Sequence, residues 1–580
     1  DFKQIFLNQR AIFYDDYEIY DNYISRVSKF VAFHYEPTKK GDYLRYKHND
    51  VDTLKTYSKE IFYDDLRTLR IKLGSMKESW VRGIKYEENM TDYHFFGRES
   101  CASYFPIING TIEIKVDKRI EVVFREYNFN DNQITFSKTE KGKYYILRWE
   151  LNEIEDVRPE DRMKSFRQLA PIVTFRIATF SYKDNTTEVF SDTNSMYKWY
   201  YNNIKGLLNY ENDSLATLAQ SLVNEDMTEF EKVKTIYYWV QKNIRYIAIE
   251  YGTGGFIPRN PNLVCDRRYG DCKDMASLLR SMMQSVGIET HLCWIGTRQI
   301  PYSFREEYAP FVSNHMICAY FAGDSVYFLD ATAKSTPIHL PSAGIQGKET
   351  LVEFGPENYR ILKVPEIESH HSLHIDSCDV RIDGTSLIGT CEYKSTGYVA
   401  AEFRSQLTYT SESAYGEKIQ NFLEKGSNKF ELIDFEIKGH EVIDTPLVIN
   451  YTFRINDYVQ SHDQSHYVNL NIDQYLRGSK YDINHFKYDF SGDYMFTHRE
   501  INHLHIPDGY VLTSVPDDLS LSKEAYEFEI NYVSKPQQIR YERNIEINHL
   551  EFPTERFQEW NEDVDNVSRS YMKMIVLEKQ

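Results

Sequence analysis

The chain has 580 residues and a mass of 68.7 kDa, and about 150 residues per domain predicts three or four folding units. Apolar residues make up 41% of the sequence and aromatic residues 15%, which excludes disorder for most of it. The 68 basic and 87 acidic residues leave a net charge of −19, which would repel a nucleic acid. No stretch is apolar for long enough to predict a transmembrane segment.

Residues 1–205 are dominated by segments in which apolar and polar residues alternate. Residues 111–116 and 120–124 are two examples. Alternation of this kind is typical of strands that bury one face. We expect a β-rich N-terminal domain.

Residues 206–355 begin with a helical pattern. Thr228 and Glu231 fit a capping box, in which each side chain binds a backbone N–H of the other residue. Apolar residues follow at helical spacing, at Phe230, Val233, Tyr237, Val240 and Ile244. The change of pattern predicts a separate domain that opens with helices.

Alternation returns after residue 355, as in residues 526–532 and 544–548. A second helical pattern begins at Phe557 and ends near Tyr571. We expect residues 356–580 to form a second β-rich domain with a late helix.

Cys272 lies at the start of a predicted helix. A stripe of apolar residues follows it at helical spacing, and Gly287 stands where a C-terminal cap belongs. The unpaired N–H groups and the positive end of the dipole at a helix start favour a thiolate over a thiol, and Lys273 would add to this. The alternative is a small apolar side chain packed at the helix start, which is the usual role of a free cysteine.

Residues 313–321 and 324–330 are predicted to form two strands joined by a tight turn. With Ala322 and Gly323 as the loop, His315 faces Asp330 directly, with Cβ atoms about 5 Å apart. The carboxylate can then bind one imidazole nitrogen and leave the other free to act as a base. A hydrogen-bonded core histidine and a strand-end aspartate are the structural alternatives. Cys318 lies on the opposite face and is expected in the core.

A cysteine at a helix start, followed by a histidine with an aspartate partner, gives a nucleophile, a base and an orienting group in chain order. The motifs that carry them, Tyr-Gly-Asp-Cys-Lys-Asp, Asn-His-Met-Ile and Phe-Leu-Asp-Ala-Thr, resemble the transglutaminase-like superfamily. Residues 244–246 and 254–258 are also similar to that core, so the resemblance covers about residues 206–340.

The resemblance implies an α+β fold. A papain- or transglutaminase-like core, with the catalytic cysteine helix packed on an antiparallel sheet, would lie between two β-rich, sandwich-like domains. The flanks are similar to domains of unknown function that bracket such cores in bacterial envelope proteins, and residues 506–510 and 575–577 fit the trailing one. Ser313 departs from the family, in which an aromatic residue is commoner at this position.

The resemblance also implies the chemistry. Cys272 is the nucleophile, His315 the base and Asp330 its orienting group, and the substrate is a peptide or protein amide. Water would resolve the thioester in a cysteine protease or amide hydrolase, and an amine would do so in a cross-linking transglutaminase. No cofactor or metal is implied. A non-catalytic envelope scaffold with a vestigial core is the competing class.

Two residues are candidates for supporting the oxyanion together with the Cys272 backbone N–H. Trp239 is one, because related cores use an aromatic or glutamine donor, although it borders the helical stripe and packing is its alternative role. Asp271, next to the nucleophile, is the other. The loop at residues 252–255 is expected to line the cleft.

Other clusters favour structural interpretations. Cys265, Cys272, His291 and Cys293 do not form the two tight ligand pairs of a zinc site. The histidines near a linker could bind a metal, but solvated surface positions are expected for them: His370, His371 and His374. Cys378 and Cys391 flank a predicted hairpin, where two buried thiols are expected and a disulfide bond is the alternative.

The chain begins with Asp rather than Met, which fits an exported protein, periplasmic or at the cell surface, whose targeting segment lies outside this sequence. The β-rich domains could bind an envelope glycan or protein. The sequence is silent on the oligomeric state.

Overall fold

The computed structural model describes residues 1–55, 61–62, 66–130, 133–160, 162–208, 213–249 and 255–580. It divides into two compact units. The first contains Asp1–Asp156, Ala170–Thr332 and Glu349–Leu362, and the second contains Val157–Leu169, Ala333–Lys348 and Lys363–Gln580. The predicted domain boundaries near residues 205 and 355 stay predictions. Among the described residues, none of the helices combines the length and apolar character needed to cross a bilayer.

The N-terminal part of the first unit is rich in sheet, as predicted. One sheet orders its strands Phe2–Ile5, Val81–Met90, Ser25–Pro37 and Tyr43–His48. Two three-stranded sheets contain Asp16–Asp21, Arg67–Lys72 and Val51–Lys55, and Ile107–Asp117, Tyr144–Ile154 and Ile134–Lys141. A fourth sheet contains Ile120–Tyr127, Ile172–Tyr182, Asn185–Glu188 and Arg98–Ser100.

The rest of the first unit holds helices and a five-stranded sheet. The helices are Thr193–Leu208, Asp213–Ser221, Glu229–Asn243, Pro261–Arg267 and Cys272–Ser285. The sheet orders its strands Ser325–Leu329, His315–Ala322, His291–Ile295, Glu349–Glu353 and Tyr359–Lys363. Two short parallel pairs join Arg245–Tyr246 to Tyr269–Gly270 and Ala248–Ile249 to Ile61–Phe62.

The second unit is built on an eight-stranded sheet. Its order is Phe430–Lys438, Leu447–Ile455, Ser386–Ser395, Leu373–Asp383, Phe496–His505, Gln538–Ile547, Tyr526–Lys535 and Leu519–Ser522. A smaller sheet contains Gln460–His462, Ser465–Val468, Ile575–Lys579 and Tyr510–Ser514, and Phe490–Ser491 pairs with Glu551–Phe552. The helices are Phe166–Leu169, Gly397–Thr408, Tyr415–Leu423 and Phe557–Ser570, the last being the predicted late helix.

Cys378 and Cys391 lie on neighbouring strands as predicted, but the expectation that they are two free thiols was wrong. Cys378 and Cys391 are directly opposed on neighbouring strands of this sheet and form a disulfide bond. Opposed positions on paired strands bring two Cβ atoms within the distance that a disulfide requires.

Candidate active site

Cys272 is the first residue of the helix Cys272–Ser285, and a capping box fixes this end. The Asp274 N–H donates to Asp271 Oδ1 at 3.2 Å, and the Asp271 N–H donates to Asp274 Oδ2 at 3.1 Å. These bonds satisfy N–H groups that a helix start otherwise leaves unpaired. The helix ends before Gly287, which has a φ of +78° and fits the predicted cap.

A buried ion pair braces the same turn. Asp274 is fully buried, and its carboxylate accepts from the Arg259 N–H at 2.7 Å and from Arg259 Nε at 2.9 Å. Gly270 lies against this carboxylate, because a Cβ added there would stand 2.7 Å from Asp274 Cβ. The Ile247 N–H donates to the Gly270 carbonyl at 2.9 Å, so the segment before Cys272 is held from two sides.

The predicted effect of Lys273 on the Cys272 thiolate stays a prediction, and the structure shows a different partner for this side chain. Its ammonium group is buried and forms an ion pair with the Asp271 carboxylate. Burial raises the pKa of Asp271, against the charge of Lys273, which lowers it. The positive charge beside the nucleophile is therefore compensated within the helix start, and Asp271 serves as the N-cap.

The hairpin that carries the histidine has a different register from the predicted one. Ala322 pairs with Ser325, so Gly323 and Asp324 form the loop. Gly323 has a φ of +60°, and a glycine at the first position of a two-residue loop suits a type II′ turn. His315 is therefore not directly opposite Asp330, which follows the last residue of the paired strand, Leu329.

The His315 imidazole and the Asp330 carboxylate are nevertheless within hydrogen-bond distance. His315 Nε2 lies 2.8 Å from Asp330 Oδ2, and the two side chains are 13% and 4% exposed. The shifted register keeps both residues on one face of the hairpin, because successive side chains alternate between faces. Asp330 Oδ1 accepts from the Thr332 N–H at 3.1 Å and from its hydroxyl at 2.6 Å. The carboxylate is thus held on both oxygens.

Against the effect of burial, the Cys272 sulfur is, with Asp330, one of the two groups that raise the pKa of the His315 imidazole. Because Asp330 occupies Nε2, the nitrogen that remains for the sulfur is Nδ1. Burial disfavours a charged imidazole here, but Asp330 and Cys272 outweigh it and raise the pKa of His315 well above its usual value. The electrostatics of the site therefore favour an imidazolium next to the sulfur.

Cys272 is also the most accessible free cysteine. It is partly exposed, whereas the other four free thiols are buried: Cys101, Cys265, Cys293 and Cys318. Burial raises the pKa of Cys318 to about 12, and its sulfur lies 3.0 Å from the Ala276 carbonyl, inside the core as predicted.

Several contacts have no signal in the sequence pattern. The Tyr237 hydroxyl donates to the Asp330 carbonyl at 3.0 Å and accepts from Gln241 Nε2 at 2.9 Å. Both residues belong to the helix Glu229–Asn243, whose capping box at Thr228 is confirmed. Helical spacing marked Tyr237 as a core residue, but it could not show what its hydroxyl reaches.

Trp239 and Ser313, both singled out in the sequence, contact other side chains. Trp239 is half-buried, and the Arg268 guanidinium lies 4.7 Å from the centre of its ring. Its role as an oxyanion donor stays a prediction. Ser313 Oγ lies 2.7 Å from the Tyr200 hydroxyl, so a tyrosine from another helix stands beside this position. Residues 252–254 of the predicted cleft loop lie outside the described residues.

Comparison with known families agrees with the resemblance. Residues 216–309 match the transglutaminase-like superfamily, and residues 465–577 match a domain of unknown function, DUF3858. The chain therefore carries a transglutaminase-like domain followed by a DUF3858 domain. The first match includes Cys272 and ends before His315, so it does not cover the histidine or the aspartate.

Solved structures extend the likeness to the whole chain. A putative protease from Parabacteroides distasonis aligns over 97% of this chain and 92% of its own, with a TM-score of 0.61 and 12% identity. This likeness shows a shared fold. A putative cysteine protease from Cytophaga hutchinsonii covers 55% of this chain and 79% of its own, with a TM-score of 0.19 and 11% identity. No curated protein matches the chain.

Proposed function

We propose that this protein is a cysteine amide hydrolase of the protease type, with Cys272, His315 and Asp330 as its catalytic triad. The observation that carries the proposal is the His315 imidazole, which lies 2.8 Å from the buried Asp330 carboxylate and whose pKa is raised, against burial, by Asp330 and by the Cys272 sulfur. The transglutaminase-like domain and the fold shared with a putative protease support it.

The proposed reaction begins with attack of the Cys272 sulfur on the carbonyl carbon of a peptide or side-chain amide. The Cys272 N–H, at the start of its helix, would donate to the oxyanion. His315 then gives its proton to the leaving amine, and the C–N bond breaks to leave a thioester on Cys272.

The second half of the reaction regenerates the sulfur. His315, now neutral, removes a proton from water as the oxygen attacks the thioester carbon. The C–S bond breaks, the acid product leaves, and the proton returns the imidazole to its charged form. Asp330 would keep the ring oriented through both steps, as the carboxylate of a triad does. A primary amine in place of water would give a cross-linked product.

The test is turnover of peptide and glutamine-amide libraries, with and without an added primary amine. New peptide termini, released ammonia and incorporated amine are measured for the wild type, for Cys272→Ala and for the matched control Cys265→Ala. We expect new termini or ammonia with the wild type and the control, and none with Cys272→Ala. Turnover that survives Cys272→Ala, or no turnover by the wild type under any condition, would refute the proposal.

We also propose that the protein is exported. A disulfide bond between Cys378 and Cys391 supports an oxidising compartment, because structural disulfides persist there and are rare in a reducing cytosol. Cell fractionation of the native host with an antibody to the protein tests this. Recovery with cytosolic marker proteins alone would refute it.

A further inference from the structure

A cavity in the second unit lies beside the helix Gly397–Thr408. Its volume is about 190 Å³, whereas a cavity needs only about 10–15 Å³ to hold a single water molecule. The helix contributes Val399, Glu402, Phe403 and Gln406, which stand three or four residues apart and share one face. The cavity therefore has room for a chain of several heavy atoms.

Aromatic rings at steep angles form the walls of this cavity. The Phe496 ring is inclined at 83° to Tyr475 and at 71° to Tyr494, with centroids 6.2 Å apart in both pairs. Phe403 and Phe422 line the cavity as well. The face of an aromatic ring carries negative charge and attracts a cation that comes within about 6 Å of the ring centre.

His374 supplies a polar group to this cavity, contrary to its predicted place on a solvated surface. It lies on the strand Leu373–Asp383, and its ring is at 80° to Tyr475 and 89° to Phe496. Its Nε2 is buried and has no hydrogen-bond partner among the described residues. Burial and the neighbouring His498 hold the pKa of His374 well below its usual value. A neutral imidazole here can accept a hydrogen bond and does not repel a cation.

Glu402 gives the cavity its charge. Of the described residues that line it, Glu402 is the one acidic side chain, and none is Lys or Arg. Glu402 is exposed to solvent, and its Oε2 accepts from the Tyr494 hydroxyl at 2.8 Å. The carboxylate is thereby held beside Tyr494, and a cation that enters the cavity would meet both the carboxylate and the aromatic lining.

We propose that this cavity binds the basic side chain of a lysine in a peptide. The aliphatic stem would pack against Val399 and Phe403, and the ammonium group would lie among the ring faces with Glu402 as counter-ion. The proposal concerns a binding site in the second unit and does not depend on the activity of Cys272.

Calorimetric titration of the full chain tests the proposal. The probe is the peptide acetyl-Gly-Gly-Lys-Gly-Gly-amide, and the matched peptide with norleucine in place of lysine keeps the stem and removes the charge. We expect the lysine peptide to bind at least tenfold more tightly, because its ammonium group can form a charge-assisted contact with Glu402 that norleucine cannot form. Equal binding of the two peptides, or no binding of the lysine peptide, would overturn the proposal.

Variants locate the binding. Glu402→Gln is expected to weaken binding of the lysine peptide about tenfold or more, and Phe496→Leu to weaken it also. Glu417→Gln, an exposed glutamate on the neighbouring helix Tyr415–Leu423, is the matched control and should bind like the wild type. Full binding by Glu402→Gln would overturn the proposal. So would binding of an N-acetylglucosamine oligomer in place of the lysine peptide.

Discussion

Asp330 reaches His315 from a diagonal position across the hairpin, with Oδ2 2.8 Å from Nε2. Direct opposition is not required for the contact, because diagonal neighbours on one face of a strand pair remain within reach of longer side chains. Two other contacts position Asp330. The Thr332 hydroxyl donates to its carboxylate, and the Tyr237 hydroxyl donates to its backbone carbonyl. The position of Asp330, the orienting group of the proposed triad, therefore also depends on the helix Glu229–Asn243, which lies outside the hairpin.

Asp330→Asn is expected to lower kcat by about two to four orders of magnitude, because loss of the orienting carboxylate in a comparable triad costs about 10⁴. Steady-state kinetics on the substrate found by library screening measures this. Thr332→Val is the matched control. It keeps the carboxylate and its bond from the Thr332 N–H and removes only the hydroxyl donor, so a smaller loss than in Asp330→Asn is expected. An equal loss in both variants would show that Asp330 acts only through the fold.

Removal of the sulfur should lower the pKa of His315. Cys272 and Asp330 both raise this pKa, whereas burial lowers it, so Cys272→Ala leaves burial opposed by Asp330 alone. The imidazolium should then lose its proton at a lower pH than in the wild type. Nuclear magnetic resonance titration of labelled histidine, with His315→Gln to assign the signal, measures the shift. An unchanged or higher pKa would contradict the contact between sulfur and ring.

Arg259→Ala should destabilise the first turn of the cysteine helix. It leaves the fully buried Asp274 without its counter-ion, and breaking a buried pair in this way costs about 3–5 kcal/mol. Chemical denaturation measures the loss of unfolding free energy, and the rate of Cys272 alkylation reports the local geometry. Arg259→Lys, which retains the charge, should recover part of both. Wild-type stability in Arg259→Ala would mean that the capping box alone holds the turn.

The number of free thiols tests the disulfide bond. Five thiols of the denatured, unreduced protein should react with a thiol reagent, and seven should react after reduction. Cys378→Ala should lower the unfolding free energy by about 3 kcal/mol, the value for closing a short loop. Cys101→Ala provides a comparison with a buried cysteine that forms no bridge. Seven free thiols before reduction would remove the support for an oxidising compartment.

Local signals in the sequence predicted the parts of the site that depend on neighbouring residues. The capping box at Thr228 and the position of Cys272 at a helix start follow from side chains within one turn. The hairpin was predicted, but its predicted register was wrong. A shift of one residue in the loop moves every cross-strand pair, and Gly323 could occupy either loop position.

Contacts between distant segments could not be predicted. The bonds from Arg259 to Asp274 and from Tyr237 to Asp330 join elements whose spacing carries no pattern. His374 was expected on the surface because histidines near a linker are usually solvated, yet its strand lies inside an eight-stranded sheet. Burial of this kind depends on the packing of the whole sheet and not on the local sequence.

The most direct test of the central claim is the rate of iodoacetamide alkylation at each cysteine, measured by peptide mass mapping at neutral pH. If Cys272 and His315 act as a unit, Cys272 should react much faster than the four buried thiols, and His315→Ala should slow that reaction while leaving the others unchanged. Equal rates at all five free cysteines, or a Cys272 rate that is indifferent to His315→Ala, would contradict the account.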